Sequence, residues 1–414
     1  MKILIVGGGG REHALAAAFA KDIEPAYISV APGNAGIARY FDCPPLKDNS
    51  EILAWCLHHQ PEMVVVGPEQ PLAKGLADIL KAHNIPCVGP SQAAARIETS
   101  KIFAKELMAR YSIPTAEFHC YSDYDKAKAY IRNNTKFPIV IKADILAAGK
   151  GVKIANAEQD ALQALNSLEY TFGKECGYVV EEFLEGWEVS LFAATDGVDF
   201  VSTLFSQDHK QLGEKDTGPN TGGMGAFCPV TAAEQWRGEI ESQIIKPTLD
   251  ALRQEGCLYR GFLYCGLMIT PSGPKVLEFN CRLGDPETQA LLPLLKTPMP
   301  EICAAILEGR VDELKLDWLD KSSICVVLAS QGYPGPYERG IPITIGKDIN
   351  SWIYYSGVSI ESGSLVTAGG RVLSLVALGD NLEDARSQVY RDIDQVQFKG
   401  KYFRGDISLR KNTL

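Results

Sequence analysis

Apolar positions in the first part of the chain come in short runs, at residues 3–6, 26–30, 63–66 and 86–88, separated by stretches of helical character such as the alanine-rich 12–20. Buried strands alternating with helices predict a parallel, doubly wound sheet for residues 1–100. Beyond that point the texture changes. A helix is expected over 100–108, then strands at 138–144, 152–154, 178–184 and 188–192. A long amphipathic helix is expected over 232–255, strands over 261–269 and 276–280, and more helix over 286–308. A last unit begins near 322, with strands at 324–329 and 369–377 and a helix over 382–393. The chain thus reads as α/β with three parts: an N-terminal doubly wound domain (1–100), a central domain (101–321) and a small C-terminal α+β domain (322–414). A length of 414 residues suits two to four domains.

The short strand expected at 276–280 carries the most specific chemistry. Side chains alternate along a strand, so Glu278 and Asn280 share one face, about 7 Å apart, while Leu277 and Phe279 take the packed face. A carboxylate and an amide oxygen are the hard ligands Mg²⁺ prefers, with phosphate oxygens completing the shell. An ordinary edge strand with exposed polar residues is the plain alternative. The following turn, Arg282 to Glu287, brings Arg282 and Asp285 toward the same space and favours a metal–phosphate site.

Three glycine-containing loops fall at the carboxyl ends of the N-terminal strands, where open α/β sheets bind ligands. The run from Gly7 to Gly10 fails the dinucleotide fingerprint, because Glu12 stands where its third glycine belongs. What remains is a turn at a helix N-terminus that offers backbone N–H groups, with Arg11 adding charge, to an anion. The loops containing Asn34 and Gly67-Pro68-Glu69 lie on the same edge, with Glu69 suited to a sugar hydroxyl pair. Lys142 sits in an apolar strand, where a charge needs a partner. The loop 147–151, with Lys150, suits a mobile cover over phosphates but is not a Walker P-loop. The hinge after Glu181 and Glu182 could lie beside an adenine, with Glu188 near a ribose. The polar segments around Asp208 and Lys210 and around Asn220 and Thr221 carry too little apolar surface to be filler.

Composition narrows the class. The chain is 46% hydrophobic and 22% charged, as for soluble globular proteins, and no apolar run approaches the roughly 18 residues of a membrane helix. A net charge of −10 argues against a general nucleic-acid binder. The eleven cysteines show no C-x-x-C spacing, and the chain enters a strand directly, so the expectation is a reducing cytoplasm without a secretory leader.

Taken in order, the stretches Gly9–Ala14, Ala31–Gly36, Val66–Glu69, Ile141–Val152, Glu181–Leu184, Ser206–Lys210, Asp216–Gly225 and Glu278–Glu287, with Gly369–Arg371 and Tyr402–Arg404, resemble the phosphoribosylamine–glycine ligase family of the ATP-grasp superfamily over essentially the whole chain. The resemblance implies a central ATP-grasp domain with a lid subdomain near 115–186 and the ATP-dependent joining of glycine to 5-phosphoribosylamine in purine synthesis. It implies Mg²⁺ or Mn²⁺ at Glu278 and Asn280, and ATP held by Lys105, Lys142, Lys150, Glu181, Phe183, Leu184 and Glu188. Arg282, with Lys142 and Lys150, would act on the reacting carboxylate and phosphate. Gly9, Gly10, Arg11, Asn34, Gly67, Pro68 and Glu69 would hold the phosphoribosyl group, and Asp208, Lys210, Asn220 and Thr221 its reacting end. Asp285 would take the glycine ammonium. Where the family has glycine before the lid sequence this chain has Ile145, a β-branched residue expected to stiffen the lid's entrance. An ATP-grasp ligase for another acid and amine is the nearest alternative. A nicotinamide-dependent oxidoreductase or a non-catalytic nucleotide sensor would each share only part of the pattern.

Overall fold

The architecture was taken from a computed structural model, which describes residues 1–133, 136–146 and 151–409. Its first unit is a parallel sheet in the order Ile28–Pro32, Ile3–Gly7, Met63–Val66, Cys87–Val88. The two central strands are buried throughout, as continuous apolar runs in a parallel sheet should be. The second strand starts two residues later than its apolar pattern implies, because Pro25 opens a single 3₁₀ turn over Pro25–Tyr27.

The middle of the chain builds two antiparallel sheets. One has the order Phe118–Tyr121, Tyr178–Glu182, Ile139–Ala143, Val152–Ala155, and carries the helices Tyr124–Asn133 and Glu158–Phe172. It has its own small core, with Ile131, Ile141, Leu165 and Tyr178 at its centre. The other has the order Phe200–Ser202, Trp187–Thr195, Gly261–Thr270, Gly273–Asn280, so the strand bearing Glu278 is an edge. Each fully buried Leu, Ile, Val or Phe in these sheets contributes about 1.5–3 kcal/mol.

Two long helices expected from sequence are broken. Residues 231–254 run as a 3₁₀ turn, a short α-helix Arg237–Ile240, a π-turn Glu241–Ile245 and a second α-helix Lys246–Gln254. Pro247 has no N–H to give to the carbonyl four residues back, and the ladder shifts register just ahead of it. The helix expected over 286–308 is likewise divided, into Glu287–Leu291, a 3₁₀ turn containing Pro293, and Met299–Glu308 after Pro298.

The C-terminal part contributes the strands Ser322–Ser330, Arg371–Gly379, Trp352–Tyr355 and Lys401–Tyr402 to a six-stranded sheet that also takes in Gln207–Asp208 and Gly225–Cys228. The polar loop 209–224 is thereby pinned at both ends to the C-terminal sheet. Arg404, fully buried, fixes it further: Nη1 donates to the Gln211 carbonyl and pairs with Asp216 at 3.0 Å, while Nε pairs with Asp406 at 2.8 Å. Among the described residues no helix is long and apolar enough to cross a membrane.

Candidate functional site

The edge strand does not alternate as a regular strand would. Gly266 pairs with Glu278 but Leu267 pairs with Val276, so Leu277 is the extra residue of a β-bulge. Val276 and Phe279 are both buried while Leu277 is not, which corrects the expectation that Leu277 shares the packed face with Phe279. The bulge turns the Leu277 carbonyl toward Lys142, whose Nζ donates to it at 3.1 Å. Glu278 and Asn280 lie beyond the bulge, half-buried, and stay paired with Gly266 and Tyr264 up to the end of the strand.

Cations converge on this edge. Lys105, near the middle of the helix Lys101–Arg110, and Lys142, in the strand Ile139–Ala143, both pair with the buried carboxylate of Glu181, the first at 2.5 Å. Lys105 also donates to Thr115 Oγ1 at 2.8 Å, and Thr115 in turn donates to the Val276 carbonyl. Burial, opposed by Glu181 and assisted by Lys142, brings the Lys105 ammonium down to about 8. Lys210 sits between Glu188 at 3.4 Å and Glu278 at 3.5 Å. Although burial works against the charge on Glu278, Lys210, Lys142, Lys101 and Arg282 hold its carboxyl below the usual range. Lys101, not singled out by the sequence, is tied by its Nζ to the Ile145 carbonyl at 2.7 Å. Phe183 and Leu184 follow the strand Tyr178–Glu182, the first partly exposed and the second buried. Lys150 lies outside the described residues.

Arg282 leaves the edge strand toward the N-terminal sheet. Its Nε pairs with Glu69 at 3.3 Å, Nη2 with Glu98 at 2.8 Å, and Nη1 donates to the Leu283 carbonyl at 3.2 Å. Glu69 begins a short helix after Gly67 and Pro68. A side chain at Gly67 would run into the carboxylate of Glu12, which explains the glycine there. Glu12, the residue that breaks the dinucleotide fingerprint, accepts from the Gly9 N–H at 2.7 Å and pairs with Arg11 at 2.6 Å. Arg11 also donates to the Leu283 carbonyl at 3.1 Å. Gly10 opens the helix Gly10–Phe19 against Gln289 and Ser356. Asn34 is held by backbone: its amide N–H₂ donates to the carbonyls of Gly8, Tyr355 and Ser356, and its oxygen accepts from Gly36 and Ile37. That makes it a stitch between the N-terminal loops and the C-terminal domain.

Asp285 pairs with Arg371 of the C-terminal sheet at 3.1 Å and accepts from Gln289 at 2.7 Å. Burial opposes its charge, but Arg371 and Arg11 outweigh it and lower its carboxyl. Arg371 Nη1 also donates to the Asp285 carbonyl, and to those of Gly222 and Gly223. Thr221 holds the Lys210 carbonyl through its N–H and its hydroxyl, at 2.7 and 2.8 Å, and Asn220 pairs with Gln211 in a short hairpin. Asp208 is buried, and burial together with Glu287 pushes its carboxyl well up. Arg371, Glu98, Lys101 and Gln289 are the site neighbours that sequence reasoning did not select. Only Arg371 had a local signal, the glycine pair before it.

A parallel N-terminal sheet, an antiparallel sheet with its own core that carries Lys142 and Glu181, and a second antiparallel sheet whose edge strand carries Glu278 and Asn280 are the parts of an ATP-grasp protein. Residues 99–288 match the family described as phosphoribosylglycinamide synthetase, ATP-grasp (A) domain, residues 1–98 its N domain and residues 323–410 its C domain. The chain belongs to the phosphoribosylglycinamide synthetase family. It is 44% identical to a phosphoribosylamine–glycine ligase of Caldanaerobacter subterraneus, over 99% of each chain. Among solved structures it resembles a phosphoribosylamine–glycine ligase from Thermotoga maritima, with TM-score 0.86 and 36% identity over 99% of this chain and 100% of that one. The biotin carboxylase domain of Hydrogenobacter thermophilus 2-oxoglutarate carboxylase, solved with MgADP, shares the fold at 14% identity and TM-score 0.72, over 97% and 91% of the two chains.

Proposed function

We propose that the protein joins glycine to 5-phosphoribosylamine at the expense of ATP, giving glycinamide ribonucleotide, ADP and phosphate, as a cytoplasmic step of purine synthesis. The full-length match to phosphoribosylamine–glycine ligases carries this reading, and the residue chemistry agrees with it. Phosphoryl transfer needs positioning and charge neutralisation more than covalent help from the protein. Lys105 and Lys142, which share one buried carboxylate, are suited to the ATP phosphates, and Lys150 is assigned with them from the sequence. Glu181, Phe183, Leu184 and Glu188 border the space for adenine and ribose.

Glu278 and Asn280 fit a divalent cation, Mg²⁺ or Mn²⁺. The surrounding lysines favour the anionic form of Glu278, and both donors are hard oxygens. Once bound, such an ion would neutralise phosphate charge.

In the reaction proposed, a glycine carboxylate oxygen attacks the γ-phosphorus, its bond to the β-phosphate oxygen breaks, and ADP leaves. Arg282 orients the carboxylate and the migrating phosphoryl group, since its planar fork matches both. The phosphoribosylamine nitrogen then attacks the acyl carbon of the glycyl phosphate. The carbon–nitrogen bond forms, the carbon–oxygen bond to phosphate breaks, and the amine gives up a proton. Asp285 is suited to the glycine ammonium, the Gly9–Arg11 turn to the 5-phosphate and Glu69 to the ribose, with Asp208, Lys210, Asn220 and Thr221 around the amine. ADP release measured with each substrate omitted in turn tests this reading. Full turnover only with ATP, glycine and phosphoribosylamine together supports it, and turnover with another acid or amine in their place overturns it.

A further inference from the structure

Glu98 lies near the end of the helix Gln92–Thr99, in the segment leading from the N-terminal sheet into the central domain, and it is buried. Its two carboxylate oxygens have different partners. Oε1 accepts from Arg282 Nη2 at 2.8 Å, and Oε2 accepts from the backbone N–H of Cys281 at 2.7 Å. One carboxylate therefore grips both the side chain of Arg282 and the peptide group that joins Asn280 to Cys281. Of the three contacts to the guanidinium, that to Glu98 is the shortest; Glu69 and the Leu283 carbonyl stand at 3.3 and 3.2 Å. Among the described residues these three contacts engage three of the five N–H donors of the guanidinium, one on each nitrogen, so two donors remain for a carboxylate or phosphate. Were Glu98 absent, the long arginine side chain would lose its closest anchor. The exit of the strand that bears Glu278 and Asn280 would lose a backbone contact at the same time.

We propose that Glu98 is a positioning residue for the ligation reaction, orienting the Arg282 guanidinium and fixing the backbone just after Asn280. This rests on the role assigned above to Arg282. Burial and the neighbouring Glu69 push the Glu98 carboxyl up, while Arg282 and the Cys281 N–H oppose them.

The test compares Glu98→Gln, Arg282→Lys and the double variant by steady-state kinetics, with affinity for a non-hydrolysable ATP analogue and thermal midpoint measured beside them. Glutamine keeps the shape but only one of the two acceptors. Glu98→Gln should lower kcat at least tenfold and raise the KM for glycine, with analogue affinity within twofold of the parent. In the Arg282→Lys background it should cost less than threefold more, because the group it aims is already gone. If Arg282→Lys is itself near normal, the role of Arg282 fails and this inference with it. If Arg282→Lys is crippled while Glu98→Gln stays within twofold of the parent, or if the two losses multiply, the positioning role alone is overturned. Should Glu98→Gln not fold, Glu98→Asp carries the same comparison, since it keeps the charge but is one methylene too short to reach both partners.

Discussion

The proposed assignment of Lys105 to the ATP phosphates predicts that ATP affinity depends on pH. The Lys105 ammonium is buried beside Lys142 and steadied by Glu181, and burial lowers it from the ordinary value near 10.5 to about 8. A triphosphate in contact with Lys105 favours the protonated form, so the bound state keeps the proton to higher pH than the free state. Binding below pH 8 then involves no change in protonation. Above it, binding takes up a proton and weakens tenfold per pH unit, so that at pH 9.5 the loss is about thirtyfold, or about 2 kcal/mol at 1.36 kcal/mol per unit. Calorimetric titration with a non-hydrolysable ATP analogue and Mg²⁺, in two buffers of different ionisation enthalpy, reads both the affinity and the proton. Lys105→Arg, always charged, should give a flat profile over the same range. Constant wild-type affinity from pH 7.5 to 9.5, or an unchanged slope in Lys105→Arg, would refute the assignment of Lys105 to the phosphates.

Replacing Glu278 by alanine should reduce kcat at least about a thousandfold at saturating Mg²⁺, on the scale of losing a preorganised electrostatic group. It should leave metal-free nucleotide binding equal or tighter, because one negative charge beside the phosphates is gone, and wild-type turnover in that variant would remove the metal assignment. His13 predicts an acid limit to stability. Its Nδ1 accepts from the Tyr355 N–H at 3.0 Å and its ring stacks on Tyr355, and burial lowers the imidazole to about 4. The folded state thus favours the neutral ring. Its contribution is complete above the unfolded value near 6.5 and is lost as the pH falls toward 4, about 3 kcal/mol in all. Thermal midpoints between pH 7.5 and 4.5 should fall less steeply in His13→Asn, which keeps an acceptor near the Nδ1 position, and identical slopes would reject this.

The parallel sheet was legible because strands buried on both faces must be apolar throughout, as residues 63–66 are. The strand that carries Glu278 and Asn280 was legible from its short apolar run and the turns that bound it. The bulge at Leu277 was not, since it arises from pairing with Gly261–Thr270 and changes which residues reach the core. The broken helices were more accessible: Pro247, Pro293 and Pro298 stand in the sequence where the ladders fail. Partners distant in sequence were the real loss. Nothing near Glu98 announces Arg282, 184 positions away, and nothing near Asn34 announces that its amide belongs to Gly8, Tyr355 and Ser356. Lys142 shows the opposite case, because a lysine in an apolar strand calls for a counter-charge, and Glu181 on the adjoining strand supplies it.

That glycine is activated as an acyl phosphate can be read from a single atom. With glycine labelled with ¹⁸O in its carboxylate, unlabelled ATP and phosphoribosylamine, mass spectrometry of the released phosphate should find one labelled oxygen per turnover, transferred when the carbon–oxygen bond breaks. Phosphate that carries no label would contradict attack by the glycine carboxylate on ATP.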